Sequence, residues 1–310
     1  MLAYGRLLRL SLAPSAAADI AAGVVLAAGE WPASWKPYLL MLASLCVYHG
    51  GMALNDWADR GVDAQTRPTR PLPSGALGAR SALVLASTLL LAGPLLAFLV
   101  APRCALVLGS VSLLAVFYDI AGRGPWLGPL LLSACRAGNL STGILLSLEL
   151  PVLVASRLVH PVVLYALYVY SVSRLARLED APESTWSRGH PRLALGLAGA
   201  LLTLVGLPLL VLLSRGPDPR HYPAMVRTSA YVAAAIALAG ALGLLARSLR
   251  GVPWSRSDVM AAVGMALRRL LAATAAIAAQ AGTSDGLWVA GAILCGYPLS
   301  FLLRRVFPPT

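Results

Sequence analysis

Long apolar runs recur along the whole chain, and they limit what it can fold into more than any other feature. Runs at 12–30, 37–56, 80–101, 103–121, 127–148, 159–178, 191–214, 226–248 and 286–303 each approach the ~20 residues a helix needs to cross a bilayer. Lipid offers no partner to backbone N–H and C=O groups, so only helices and closed barrels span it. The runs are too long and too continuous for barrel strands, in which lipid-facing and inward residues alternate. A further stretch, 257–283, is apolar in its second half but carries Arg268 and Arg269 in its middle; it reads as an interfacial helix bending into a short span. The sequence therefore predicts an all-α, polytopic transmembrane bundle of nine or ten helices forming a single domain over 1–310. Charged residues make up only 12% of the chain, against about 25% in a soluble domain. The first run follows Arg6 and Arg9, is longer than a signal peptide's apolar segment and has no clear cleavage site, so it reads as a membrane helix. No convincing internal repeat is present.

Chemistry concentrates where the second run ends. Three of the nine aspartates fall in Asn55-Asp56-Trp57-Ala58-Asp59-Arg60-Gly61-Val62-Asp63. If the helix continues through this stretch, Asn55, Asp59 and Asp63 at i, i+4 and i+8, together with Asp56, line one face. Like charges at that spacing repel, and carboxylates at the mouth of a membrane helix are costly unless a cation neutralises them. Oxygen ligands without His or Cys suit a hard ion such as Mg²⁺, which usually shares its coordination with substrate phosphates. The bland alternative is a solvated acidic helix end. It gives no reason for the adjoining segment, Gln65-Thr66-Arg67-Pro68-Thr69-Arg70-Pro71-Leu72-Pro73-Ser74-Gly75. Three prolines and a glycine stop the helix and force a loop, and Arg67 and Arg70 are placed just beyond the carboxylates. Carboxylates holding Mg²⁺ beside guanidiniums are the arrangement expected for gripping a diphosphate.

The pattern N-D-x-x-D-x-x-x-D followed by T-R-P-x-R-P-L-P-x-G, from Asn55 to Gly75, resembles the UbiA superfamily of intramembrane prenyltransferases. The resemblance implies helices packed around a central cavity and transfer of a prenyl group from a Mg²⁺-bound diphosphate to an acceptor, often aromatic. It also implies that a tyrosine and a basic residue in the loop after the fourth span contact the diphosphate, which Tyr118 and Arg123 match. Their alternative role is interfacial, with tyrosine at headgroup level and arginine snorkelling. The family usually carries a second Asp-rich motif after the sixth span, with a D-x-x-x-D core. Here Arg174, Arg177, Glu179, Asp180 and Glu183 stand instead, the acids displaced and unrepeated. The acids remain candidate metal ligands, and the arginines are expected to cradle phosphate where a second Mg²⁺ would otherwise sit. This departure is similar to a divergent bacterial branch of the superfamily with poorly defined substrates.

Other polar residues interrupt the apolar runs. Arg136 and Asn139, three apart in the fifth run, share a face and must point into the bundle or a wet cavity. Gly138 and Gly143 beside them would allow helices to approach closely. Asp19, in the first run, is a candidate to accept a proton from the acceptor or to pair with Arg136. These three complete the expected catalytic set, with helix–helix hydrogen bonding as the structural alternative. Cys46, Cys104, Cys135 and Cys295 are scattered and form no C-x-x-C, as reduced packing residues would. His49, near the acidic motif, reads as a core or interface residue.

The net charge of +12 comes from 25 basic and 13 acidic residues, with Lys36 the only lysine. With Arg6 and Arg9 inside, the loops on their side carry Arg60, Arg67, Arg70, Arg80, Arg123, Arg174, Arg177, Arg188 and Arg192. The opposite loops carry Lys36, Arg103, Arg157, Arg215 and Arg220. The bias predicts a cytoplasmic acidic motif in a bacterial inner membrane. No basic domain lies outside the apolar runs, which argues against nucleic acid as a partner; the expected partners are a prenyl diphosphate, a small acceptor and membrane lipid. Two other functions remain: acceptor-independent terpene cyclisation on the same fold, and a non-catalytic transporter or lipid-binding protein. Transporters often show paired interrupted helices in two halves, whereas the acidic motif here occurs in full once.

Overall fold

The computed structural model describes residues 2–149, 158–186, 189–215, 222–250 and 253–307. Arg157, Arg188 and Arg220, which entered the charge bias, lie outside these residues, as does the side chain of Arg215. The described residues are helical and contain no strand. In chain order the helices are α1 (Leu2–Leu7), α2 (Ala13–Ala28), α3 (Lys36–Thr66), α4 (Ala79–Phe98), α5 (Pro102–Ile120), α6 (Leu127–Ile144) and α7 (Val159–Ala176). They continue as α8 (His190–Val205), α9 (Pro208–Arg215), α10 (Ala224–Ser248), α11 (Arg256–Arg268), α12 (Leu270–Ala279), α13 (Ser284–Leu294) and α14 (Gly296–Val306).

Successive helices from α3 to α8 pack side by side, and α2 runs through the middle, touching α3, α6, α12 and α13. Nearly every residue of α2 from Ser15 to Val25 is buried. By contrast, Leu91, Leu95, Phe98, Leu106 and Leu113 on α4 and α5 are exposed, as residues facing lipid are. Small residues set the closest contacts. A Cβ on Gly23 would strike the backbone of Leu140, and one on Gly143 the backbone of Ile20. The two glycines therefore let α2 and α6 touch backbone to backbone, and that contact brings Asp19 level with Arg136 and Asn139.

Seven helices among the described residues are long and apolar enough to cross a membrane, eight if one bent pair is a single span. The nine or ten expected spans are not reached on that measure. α6 and α7, 18 residues each, are long enough but not apolar enough to count, and α6 carries Arg136 and Asn139. The run 191–214 is not one straight helix: α8 and α9 meet at 54°, where Gly206 and Pro208 interrupt the ladder. The stretch 257–283 also differs from expectation. Arg256–Ala279 forms one candidate span of 24 residues, with a local break at Arg269.

Candidate active site

α3 is 31 residues long and carries the acidic motif in its last turns, so the helix does continue past Leu54. At about 100° per residue, the four polar side chains spread over a quarter of the helix circumference and split into two stripes. Asp56 and Asp63, both 3% exposed, turn towards the loop after the helix. Asn55 and Asp59 turn towards the end of α5.

The loop folds back because backbone bonds from Arg70 N–H to Arg67, Ser74 N–H to Arg70 and Leu77 N–H to Pro71 close it into turns. Arg70 is thereby buried, and its Nη1 reaches Asp63 Oδ2 at 2.6 Å and Asp56 Oδ1 at 3.5 Å. Arg67 stands 4.0 Å from Asp63. A third guanidinium arrives from the N-terminal segment: Arg9 Nη2 donates to Asp56 Oδ1 at 2.9 Å. In the sequence Arg9 marks only membrane orientation. Its backbone is the one non-glycine position with positive φ, 50°, among the described residues, which turns the chain between α1 and α2 and aims the side chain at α3.

On the second stripe, Asn55 Nδ2 donates to Asp119 Oδ1 at 2.9 Å, and Arg123 pairs with Asp59 and, at 3.3 Å, with Asp119. Arg123 Nε is buried without a hydrogen-bond partner. Burial and then the like charge of Arg177 lower its pKa. Arg177 donates to Tyr118 Oη at 3.3 Å. Gly128 leaves the space for it, since a Cβ there would strike Arg177 Nη2. Arg174 is placed elsewhere: it stacks 3.8 Å over Trp126 and donates to Pro125 O, bracing the 121–126 loop.

The displaced acids behave differently from the first motif. Asp180 lies 3.8 Å from Arg256, and Glu183 Oε1 accepts from Arg256 N at 2.7 Å. Glu179 is partly buried, and burial followed by the neighbouring Asp180 raises its pKa, against the charges of Arg67 and Arg256. Among the described residues no three His, Cys, Asp or Glu side chains gather closely enough to hold a metal ion. The donors still suit Mg²⁺ in kind, being oxygens only. Asp56 and Asp63 already converge on one cationic point, Arg70 Nη1, so the place where a cation would bridge two of the carboxylates has a guanidinium standing in it.

Asp19, Arg136 and Asn139 come together, but in an enclosed network. Asp19 is 0% exposed. Its Oδ2 accepts from Arg136 at 2.8 Å and Asn139 at 3.0 Å, and its Oδ1 from Tyr165 at 2.6 Å. Arg136 also donates to Ser15 Oγ at 2.7 Å, and Asn139 Oδ1 accepts from Ser44 at 2.7 Å. Tyr165, Ser44 and Ser15 were missed from sequence; a tyrosine or serine in an apolar run gives no signal of its own. His49 Nδ1 lies 2.7 Å from Leu8 O, an interface contact. The four cysteines are free.

Residues 16–258 match the model of the UbiA prenyltransferase family. The digeranylgeranylglyceryl phosphate synthase of Methanosarcina barkeri is 38% identical over 117 residues, 38% of this chain and 37% of that relative. The enzyme of the same name from Ignicoccus hospitalis is 35% identical over 108 residues, 34% of this chain and 36% of its own length. The chain thus spans about a third of the length of these curated relatives. Among solved structures, a UbiA homologue from Archaeoglobus fulgidus bound to GPP and Mg²⁺ superposes with a TM-score of 0.60 at 14% identity, covering 89% of this chain and 99% of that one. A structure described as digeranylgeranylglyceryl phosphate synthase in membranes gives 0.60 at 16% identity, covering 92% and 98%. At such identities the likeness shows the fold.

Proposed function

The chain belongs to the UbiA prenyltransferase family, and we propose that it is a membrane-embedded, Mg²⁺-dependent prenyltransferase moving an isoprenoid group from a prenyl diphosphate to a small acceptor. One observation carries this reading. Carboxylates and guanidiniums from four separate segments interleave at one end of the bundle: Arg9, then Asn55 to Asp63, then Arg67 and Arg70, then Asp119 and Arg123. Each arginine there is held by a carboxylate and can exchange it for a diphosphate oxygen in a bidentate pair. Asn55, Asp56, Asp59 and Asp63 are the residues that would hold Mg²⁺, which when bound neutralises the diphosphate and improves it as a leaving group. Arg123, with its uncompleted Nε–H, and Arg177 with Tyr118 bind phosphate oxygens from the side of α5 and α7. Departure of diphosphate leaves an allylic cation, which the apolar bundle wall shields from water until the acceptor attacks. The arginine bias supports placing these loops on the cytoplasmic face of the membrane.

The acceptor we favour is a glyceryl phosphate bearing one prenyl chain, because the matched relatives are named for a glyceryl phosphate bearing two. The test uses purified protein in vesicles with geranylgeranyl diphosphate, assayed for diphosphate release with and without Mg²⁺. Each run adds monogeranylgeranylglyceryl phosphate, an aromatic acid or no acceptor. Mg²⁺-dependent release with the first acceptor alone is expected. Release without any acceptor would assign cyclisation, and no release under any condition would overturn prenyl transfer.

A further inference from the structure

Arginines also gather where, among the described residues, no carboxylate meets them. Arg268 closes α11, Arg304 and Arg305 lie in the last turn of α14, and with Phe301 they line a concavity of about 390 Å³. No acidic side chain lines it, and no ion pair reaches any of the three arginines among the described residues. Arg304 Nε is buried without a hydrogen-bond partner, and Arg305 sits 4.7 Å over the Phe301 ring. Three guanidiniums crowded around one hollow repel one another unless an anion lies between them. At the end of α3, Arg9, Arg67, Arg70 and Arg123 each meet a carboxylate; here three arginines face an open hollow.

The flank of the hollow is apolar. Phe301 and Leu302 are each 57% exposed and Val306 is 52% exposed, so the surface around the arginines is suited to hydrocarbon. Its level is fixed by packing: α14 lies against Leu10–Leu12, and Phe307 lies against Gly5. That is the end of the bundle at which Arg9 reaches Asp56, the level of the phosphates of one leaflet.

We propose that Arg268, Arg304 and Arg305 form a binding site for the headgroup phosphate of an anionic membrane lipid, with the lipid's chains lying along Phe301, Leu302 and Val306. Guanidinium forks pair with phosphate oxygens in the bidentate manner that lysine does not reproduce, and the exposed apolar flank selects a lipid over a free anion. The site is separate from the acidic end of α3 and does not depend on the reading of that end.

The full chain in detergent, mixed with equal amounts of phosphatidylglycerol and phosphatidylcholine, is examined by native mass spectrometry. One phosphatidylglycerol should be retained in preference to phosphatidylcholine by roughly tenfold or more, the scale of a charge-assisted contact. Arg305→Glu, on an exposed side chain and checked for an unchanged melting temperature, should abolish the preference. Arg268→Ala with Arg304→Ala should do the same. Three results would overturn the proposal: equal retention of the two lipids, a preference unchanged in Arg305→Glu, or displacement of the lipid by millimolar inorganic phosphate, which would assign the hollow to a free anion.

Discussion

Two clusters of paired charges among the described residues, one around Asp19 and one at the end of α3, satisfy their charges in opposite ways. Around Asp19 the bonds converge: Arg136, Asn139 and Tyr165 all point, at 2.6–3.0 Å, at one carboxylate that solvent does not reach. At the end of α3 the guanidiniums are divided among several carboxylates. Arg70 is divided between Asp56 and Asp63, Arg123 between Asp59 and Asp119, and Arg67 stops at 4.0 Å. A network closed around one buried carboxylate fixes helices; one whose guanidiniums are divided among several carboxylates can trade them for a ligand at little cost. The comparison separates the Asp19 cluster, which we assign to holding α2, α6 and α7 in register, from the α3 cluster, which we assign to binding and chemistry.

The comparison breaks most readily at Arg136. Removing it leaves Asp19 buried and uncompensated, a loss of about 3–5 kcal/mol. Arg136→Ala should therefore lower the melting temperature in detergent sharply, and adding Asp19→Asn should restore much of it. A stable, inactive Arg136→Ala protein would instead return Arg136 to the catalytic set.

Asp56→Asn should do the reverse. It leaves Arg70 held by Asp63 and costs Arg9 its carboxylate, so the fold should persist with a melting temperature lowered only modestly. Turnover should fall roughly 10²–10³-fold, the range for losing one preorganised electrostatic group. Near-normal diphosphate release from this variant would place the chemistry outside the α3 cluster.

Legibility in the sequence splits along the same divide. The α3 cluster was legible because carboxylates are scarce in this chain, 13 in all, and here stand with arginines at helical and loop spacings that nothing else explains. Asn55, Asp56, Asp59, Asp63, Arg67 and Arg70 are all found at that end of the bundle. Arg9 was not legible as a partner of Asp56, since 47 residues separate them and only the turn before α2 brings them together. Asp19, Arg136 and Asn139 were legible as inward-facing, but their closed arrangement depends on Ser15, Ser44 and Tyr165, residue types common in membrane helices. The division between Arg174 and Arg177 was also hidden. Both occupy the end of α7, and only the positions of Trp126 and Gly128 decide that one braces a loop while the other reaches Tyr118.

Gly128 gives a finer test of the binding cluster. Alanine there displaces the tip of Arg177, a flexible side chain, so the helix should fold as before. Prenyl diphosphate affinity should fall by up to roughly tenfold, the scale of one charge-assisted contact, with kcat changed less than KM. An unchanged KM would mean that Arg177 only supports Tyr118 and binds no phosphate.

The smallest expected effect lies at the margin of the site, in Glu179. Its pKa is raised from the ordinary 4.5 by burial and by Asp180. A carboxyl whose folded pKa is raised stabilises the fold below its unfolded pKa and loses that contribution as pH rises through the folded value. Glutamine stays neutral throughout. Glu179→Gln should therefore melt with the wild type in acid and at a slightly higher temperature at neutral pH, the gap opening above pH 4.5. If prenyl diphosphate and Mg²⁺ are added and the gap at neutral pH closes or reverses, the ionised Glu179 belongs to the exchangeable cluster. If it persists, Glu179 is only a partly buried acid that Arg67 and Arg256 fail to compensate.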